Sequence, residues 1–209
     1  MSRQFAEATA AWLERTSGLP TIAYPFSICF WFNAPSNDSN AFFGMFVSGG
    51  DQWMCEIVAD ETVKWQHWNN SSWAIATPSN TFTNNVWQHL AIICTSSTNW
   101  AVVLNGDWAN RGTYTSTART FAAPVEINIG RASSNLGATM DGLIAQWTLW
   151  NNHALTQAQV EALAGPFSSG SQSGAGKDPQ SIQGDKIAVH LRLEGTASPE
   201  PDFQNTYNF

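Results

Sequence analysis

The sequence predicts an all-β protein, an antiparallel jelly-roll β-sandwich with one short C-terminal helix. Three observations carry this expectation. Apolar residues alternate with a period of two through many short segments, the spacing of a strand that buries one face or both. Gly, Asn and Ser punctuate these segments at close intervals, as in sandwiches and jelly rolls. A helical pattern with both end signals occurs once, in 154–166.

In chain order, FSICFWFNA (26–34) sets Phe26, Ile28, Phe30 and Phe32 on one face against Ser27, Cys29, Trp31 and Asn33. FFGMFVSGG and WMCEIVAD form a hairpin around Gly49-Gly50-Asp51. TVKWQHW and WAIATPS form another around Asn69-Asn70-Ser71-Ser72. The stretch 86–106 is the most regular. Trp87, His89, Ala91 and Ile93 alternate with Gln88, Leu90, Ile92 and Cys94. Both sets are mainly apolar, so this strand is expected to be covered on both faces. TSSTN supplies turn residues, and WAVVLNG closes in Asn105-Gly106, a strong hairpin signal. VEINIGR (125–131), GLIAQWTLW (142–150) and KIAVHLRLE (186–194) complete the strands.

The helix is read from ALTQAQVEALAGP. Thr156 is the N-cap, and Gln159 three residues later completes a capping box. Leu155 and Val160 make a hydrophobic staple, and Gly165-Pro166 ends the helix. A helix this short is expected to act as a lid over an open end or edge of the sandwich. SSGSQSGAGK (168–177) reads as a flexible loop, and residues 198–209 as an extended C-terminal tail. The whole of 1–209 is expected to form one domain, a common size for an all-β sandwich.

Composition excludes several functions. The net charge is -7 with 9 Lys+Arg among 209 residues. There is therefore no basic footprint for nucleic acid and no electrostatic attraction to anionic membranes. No run approaches the roughly 20 apolar residues that span a bilayer, so no membrane insertion is expected. The N-terminus lacks an apolar core of the secretory kind, and no signal peptide is expected. Cys29, Cys55 and Cys94 are odd in number, lack metal-ligand spacing and sit in apolar stretches. They are expected to be buried thiols rather than disulfides or zinc ligands.

No catalytic constellation is visible. A retaining glycosidase needs two carboxyls roughly 5–5.5 Å apart. Glu56 and Asp60 share strand parity but stand four residues apart, about 13 Å along a strand. His89 falls in the buried hairpin as a core imidazole. His67, His153 and His190 have no nucleophile at a recognisable spacing. Asp51, Asp107 and Asp141 are loop candidates for calcium, but ordinary turn capping is the favoured reading of each, and no cofactor is expected.

Tryptophan is the unusual component, with 11 in the chain. Trp31, Trp87, Trp147 and Trp150 lie in dense apolar strands and are assigned to core or sheet faces. Trp53, Trp65, Trp68, Trp73 and Trp108 have polar neighbours. With His67 and Asn69, these five make a candidate carbohydrate surface, where indoles would stack on sugar C–H faces while amide and imidazole bond the hydroxyls. The same indoles would also serve as packing for the second sheet face, or as anchors against neighbouring subunits. Phe203, Tyr207 and Phe209 lie on a proline-stiffened tail, which reads either as disordered or as a contact to a partner subunit.

The ordered run VWQHLAIIC, VVLNG, INIGR and MDGLIAQWTLWNNHALTQAQVEAL resembles the laminin-G-like branch of the concanavalin A-like lectin/glucanase superfamily. Trp87, His89, Leu90, Ala91, Asn105, Gly106, Ile129, Gly130, Gly142, Ile144, Leu155 and Thr156 match its pattern in order, across about residues 20 to 165. Ala145 and Gln146 stand where that family often carries Asp and Glu. The beginning MSRQF, the segment AYPFSICFWF and the end LEGTASPEPDFQNTYNF resemble small laminin-G-like proteins of tailed phages. That resemblance implies a non-catalytic protein of the virion surface, as a head decoration or a tail or fibre module. Its partners would be other virion subunits in an oligomeric assembly, with cell-surface glycans as possible ligands. A lectin-like carbohydrate-binding module is the alternative, and a glycoside hydrolase fits least.

Overall fold

A computed structural model describes residues 2–5, 12–35, 41–58, 60–121, 123–133, 136–165, 167–168, 171–172 and 176–193. Its strands are β1 (Arg3–Phe5), β2 (Leu13–Arg15), β3 (Phe26–Asn33), β4 (Ala41–Val47), β5 (Gln52–Val58) and β6 (Thr62–Trp68). They continue as β7 (Trp73–Ala76), β8 (Gln88–Ser96), β9 (Asn99–Leu104), β10 (Gly112–Tyr114), β11 (Pro124–Ile129) and β12 (Arg131–Ser133). The last are β13 (Leu136–Thr139), β14 (Gly142–Asn151), β15 (Phe167–Ser168), β16 (Ser171–Gln172) and β17 (Ile187–Leu191). The helix α1 spans Gln157–Ala164, and 3-10 turns follow at Pro179–Ser181 and Gly184–Lys186.

Two antiparallel sheets face each other. The seven-stranded sheet runs β1-β14-β3-β8-β9-β10, with β17 also paired to β14 beyond β1. The six-stranded sheet runs β2-β11-β4-β5-β6-β7. Strand parity decides the interior. Phe26, Ile28, Phe30, Phe32, Leu90, Ile92 and Cys94 from the first sheet meet Phe43, Met45, Trp53, Cys55, Trp65 and Ile127 from the second. The alternate residues of β8, Ala91 and Ile93, enter a second core on the outer face of the seven-stranded sheet. The expectation that this strand is covered on both sides therefore holds. The cysteines are free and buried, and burial pushes all three thiols up.

That second core corrects the expected position of the helix. Leu155, Val160 and Leu163 seal Cys29, Ala91, Ile93, Val103 and Trp150, so α1 covers a sheet face rather than an end or edge. The capping box is present as the sequence predicts, with Thr156 Oγ1 accepting from Gln159 N–H and the Gln159 side chain accepting from Thr156 N–H. Ser27 Oγ accepts from Leu155 N–H at 2.9 Å, which ties the helix lead-in to β3. Trp150 Nε1 donates to Ile182 O at 2.8 Å and brings the first 3-10 turn onto the same face.

Asn105-Gly106 also differs from expectation. The tight β8–β9 turn lies at 97–98, whereas Asn105 and Gly106, both at positive φ, open a longer loop into β10. Asn105 instead pins the hairpin's open end. Its Oδ1 accepts from His89 N–H at 2.9 Å, its own N–H donates to His89 O, and its Nδ2 donates to Gln88 Oε1 at 2.5 Å. Within 168–177, read as a loop, the described residues carry a two-residue antiparallel pairing of β15 with β16. Residues 198–209, and with them Phe203, Tyr207 and Phe209, lie outside the described residues.

Candidate functional site

The indoles divide by strand parity. Trp53 and Trp65 on β5 and β6 point into the sandwich and are fully buried, with ring centroids 5.3 Å apart. His67 shares their side and stacks on Trp53 at 4.1 Å. These three expected sugar-binding residues therefore present no face to a ligand, because they occupy the alternate positions of β5 and β6 that face the core. Burial, and then the charge of Arg119, lowers the His67 pKa to about 4. The 4.0 Å approach of its Nε2 to Asp51 is thus a contact of a neutral ring near neutral pH. His89 is buried as expected but is not a satisfied core group. Neither ring nitrogen has a hydrogen-bond partner among the described residues, and burial lowers its pKa to about 3.

Trp68 and Trp73 face the other way. They are paired across β6–β7 on the outer face of the six-stranded sheet, with ring centroids 5.1 Å apart and planes at 42°. Trp68 is half-buried, whereas Trp73 is 43% exposed, as is its same-face neighbour Ile75. β7 is an edge strand, so nothing further in the sheet flanks the pair on that side. The β6–β7 turn is tied down by hydrogen bonds. Asn69 Oδ1 accepts from Ser71 N–H and Ser72 N–H, and Asn70 Nδ2 donates to Gly49 O, clasping the neighbouring β4–β5 turn. Asn69 Oδ1 thus serves the turn and holds the indole pair in place.

This outer face is covered at β4. At Gly44 on β4 an added Cβ would sit 1.3 Å from Ala132 O, because β12 crosses directly over β4. Beyond that cover, toward β7, Glu56 is held by Lys64 Nζ at 2.8 Å and by Gln66 Nε2 at 2.9 Å. The outer face therefore runs from an ion-paired strip at its centre to exposed indoles at its edge.

Trp108 lies apart, in the loop between β9 and β10. It packs against the second core, and the Arg111 guanidinium sits 5.1 Å from its ring centroid. It walls an open cleft of about 670 Å³ between this loop and α1, with Asp107, Gln157, Glu161, Ala162 and Lys177 among its lining. The sequence placed Trp108 with the hairpin indoles; the structure puts it on the opposite face of the sandwich.

Metal ligation and paired carboxylates have weak support in the geometry. Among the described residues no three His, Cys, Asp or Glu side chains converge. Asp107 caps its own loop, taking Asn110 N–H at 3.3 Å and Asn110 Nδ2 at 2.8 Å. Glu14 and Glu126 both approach Arg131 Nη2, at 2.8 and 3.7 Å. The guanidinium, capped by the Trp12 ring at 4.0 Å, occupies the gap that a glycosidic oxygen would need. Sequence reasoning missed this cluster, since Glu14 and Glu126 are distant in the chain and meet only through β2–β11 pairing.

Two curved antiparallel sheets with one helix on an outer face are the architecture of lectin-like sandwiches. A laminin-G family profile, described as the concanavalin A-like lectin/glucanases superfamily, matches residues 8–161. The chain belongs to that superfamily. Among curated proteins, none matches the sequence. A heptameric SAP-like pentraxin from Limulus polyphemus superposes with a TM-score of 0.58 at 17% identity, over 79% of this chain and 83% of that one. A putative carbohydrate binding protein from Bacteroides ovatus superposes with a TM-score of 0.64 at 15% identity, over 99% of this chain and 56% of that one. The tailspike protein 2 of the Escherichia coli bacteriophage CAB120 gives a TM-score of 0.56 at 12% identity, over 92% of this chain and 26% of that one. The chain thus spans about half of the Bacteroides protein and a quarter of the tailspike. At these identities the likeness is one of fold.

Proposed function

We propose that the protein is a non-catalytic, lectin-like glycan-recognition module carried on the surface of a phage particle. One observation supports the recognition half: the paired Trp68 and Trp73 rings on the outer face of the six-stranded sheet, anchored by a turn whose polar groups are already bonded. Exposed aromatic rings held rigidly offer stacking area at low entropic cost. A neutral glycan suits a surface where Glu56 and Lys64 are paired with each other and the Arg119 guanidinium is buried against Ser72. The Bacteroides ovatus protein is described as a putative carbohydrate binding protein, which accords with this reading.

Two observations favour binding over hydrolysis. Glu56 pairs across from Ala41, while Glu126 pairs across from Phe46 on the same strand. Five strand residues separate those levels by about 16 Å, too far for a catalytic carboxyl pair. The closer pair, Glu14 and Glu126, is filled by Arg131.

The phage setting rests on the resemblance of the chain's two ends to small phage proteins, and a phage tailspike shares the fold. In that setting the partners are other virion subunits, with an oligomeric assembly presenting many copies. Phe203, Tyr207 and Phe209 remain the proposed partner contacts.

A glycan-coated bead assay tests recognition. Wild-type protein should be retained and Trp73→Ala lost, with melting temperatures nearly equal. Equal retention of both, or no retention of either, removes this reading. For location, stoichiometric recovery of the polypeptide from purified particles by mass spectrometry is expected, and its absence rules the virion role out.

A further inference from the structure

The cleft beside α1 is built differently from the indole pair. Its volume of about 670 Å³ falls within the roughly 300–1,000 Å³ of small-molecule sites. Small residues form its floor. Gly106, at φ +73, would place a Cβ 3.0 Å from that of Ala164, so loop and helix abut below while the cleft opens above. Trp108 is the single aromatic wall among the described residues. Arg111 Nη1 donates to the Trp108 carbonyl at 2.7 Å while its guanidinium lies over the ring, which fixes the indole's orientation before anything binds.

We infer that this cleft is a second saccharide site, taking one or two rings of a neutral or N-acetylated sugar. This inference rests on the reading of the protein as a glycan binder, and it adds a site on the other face. The rim offers both acceptors and donors, as vicinal hydroxyls require. Gln157 and Glu161 lie one helical turn apart and are bonded to each other at 2.7 Å, so their remaining lone pairs and N–H point from a fixed frame. Lys177, bonded through its backbone to Ala162 O, makes no ion pair among the described residues although two carboxylates line the same cleft. Asp107 and Glu161 are balanced by Lys177 and by Arg111 over the Trp108 ring, so the rim has no excess positive charge to recruit uronic or sulfated sugars.

Trp108 packs on the outer face of the seven-stranded sheet, while Trp68 and Trp73 lie on the outer face of the six-stranded one. The two sites therefore look away from each other. A module of this kind bridges two glycan chains and cannot place both sites on a single short chain.

Protein labelled with 5-fluorotryptophan, with the signals of Trp108 and Trp73 assigned from Trp108→Phe and Trp73→Phe, tests the inference by 19F NMR. Di-N-acetylchitobiose and lactose are the neutral probes, and galacturonic acid the acidic one. The Trp108 signal should shift saturably with at least one neutral sugar. Lys177→Ala and Gln157→Ala, both at solvent-facing positions, should keep the fold and raise the Kd about tenfold, as for loss of one hydrogen bond at a charged rim. A Trp108 signal that stays fixed with both neutral sugars, or moves only with galacturonic acid, overturns the site. If Trp73 moves and Trp108 does not, the cleft is wrong and the indole-pair reading stands. If Trp108 alone moves, the cleft stands and that reading falls.

Discussion

Trp65 and Trp68 stand three residues apart on β6 and meet opposite fates. Trp65 is fully enclosed among Phe43, Trp53 and the other sheet, whereas Trp68 lies against one exposed ring at the sheet's rim. Their immediate neighbours are equally polar: Lys64 and Gln66 beside one, His67 and Asn69 beside the other. Neighbour polarity along the chain thus says little about burial in a strand, because adjacent residues belong to opposite faces. Parity says nearly everything, once it is known which face is inside.

Several measurements would sharpen or break that contrast. The largest effect is expected from Trp65→Ala, which empties an indole-sized space between the sheets. It should cost about 3–5 kcal/mol by urea denaturation, and a loss near that of a surface substitution would mean that Trp65 is not enclosed.

Acid comes next. His67 against Trp53 and His89 against Trp31 are held neutral by burial, with pKa values lowered to about 4 and about 3. In the unfolded chain both protonate near the ordinary value of about 6.5. Between those limits the unfolded state binds more protons, so stability falls as pH falls below 6.5. Each imidazole contributes up to about 1.4 kcal/mol per pH unit until its folded pKa is reached. Urea midpoints measured down this range should fall steadily, and less steeply in His89→Gln. A flat profile would show that the imidazoles are solvated.

Trp68→Ala should cost about 1 kcal/mol, since only part of the ring is covered. Trp73→Ala should change stability by no more than about 0.5 kcal/mol. A large loss at Trp73 would make the pair a structural clamp rather than a platform.

Much of the architecture was legible because it is local. The alternation in 26–34, 86–94 and 142–150 appears as β3, β8 and β14, and Thr156 with Gln159 caps α1 as read. The hairpins at Gly49-Gly50 and Asn69–Ser72 occur where the turn residues placed them. The short strands β1, β2, β10, β12 and β13 were not read, since three or four residues carry no period and are held by their partners. The candidate site was legible only in part. Trp68, Trp73 and Trp108 kept surface positions, while Trp53, Trp65 and His67 went inside. Asn69 turned out to hold its turn, which an Asn before Asn-Ser-Ser signals in hindsight.

The sequence by itself determined that this chain folds as strands with one capped helix, because period, turn chemistry and caps act over a few residues. Only the tertiary structure decided which parity of each strand faces inward, where α1 docks, and that Trp108 walls a cleft far from Trp68 and Trp73. Those outcomes depend on which surfaces meet across the sandwich. A pattern that alternates is symmetric between its two faces until a partner sheet covers one of them.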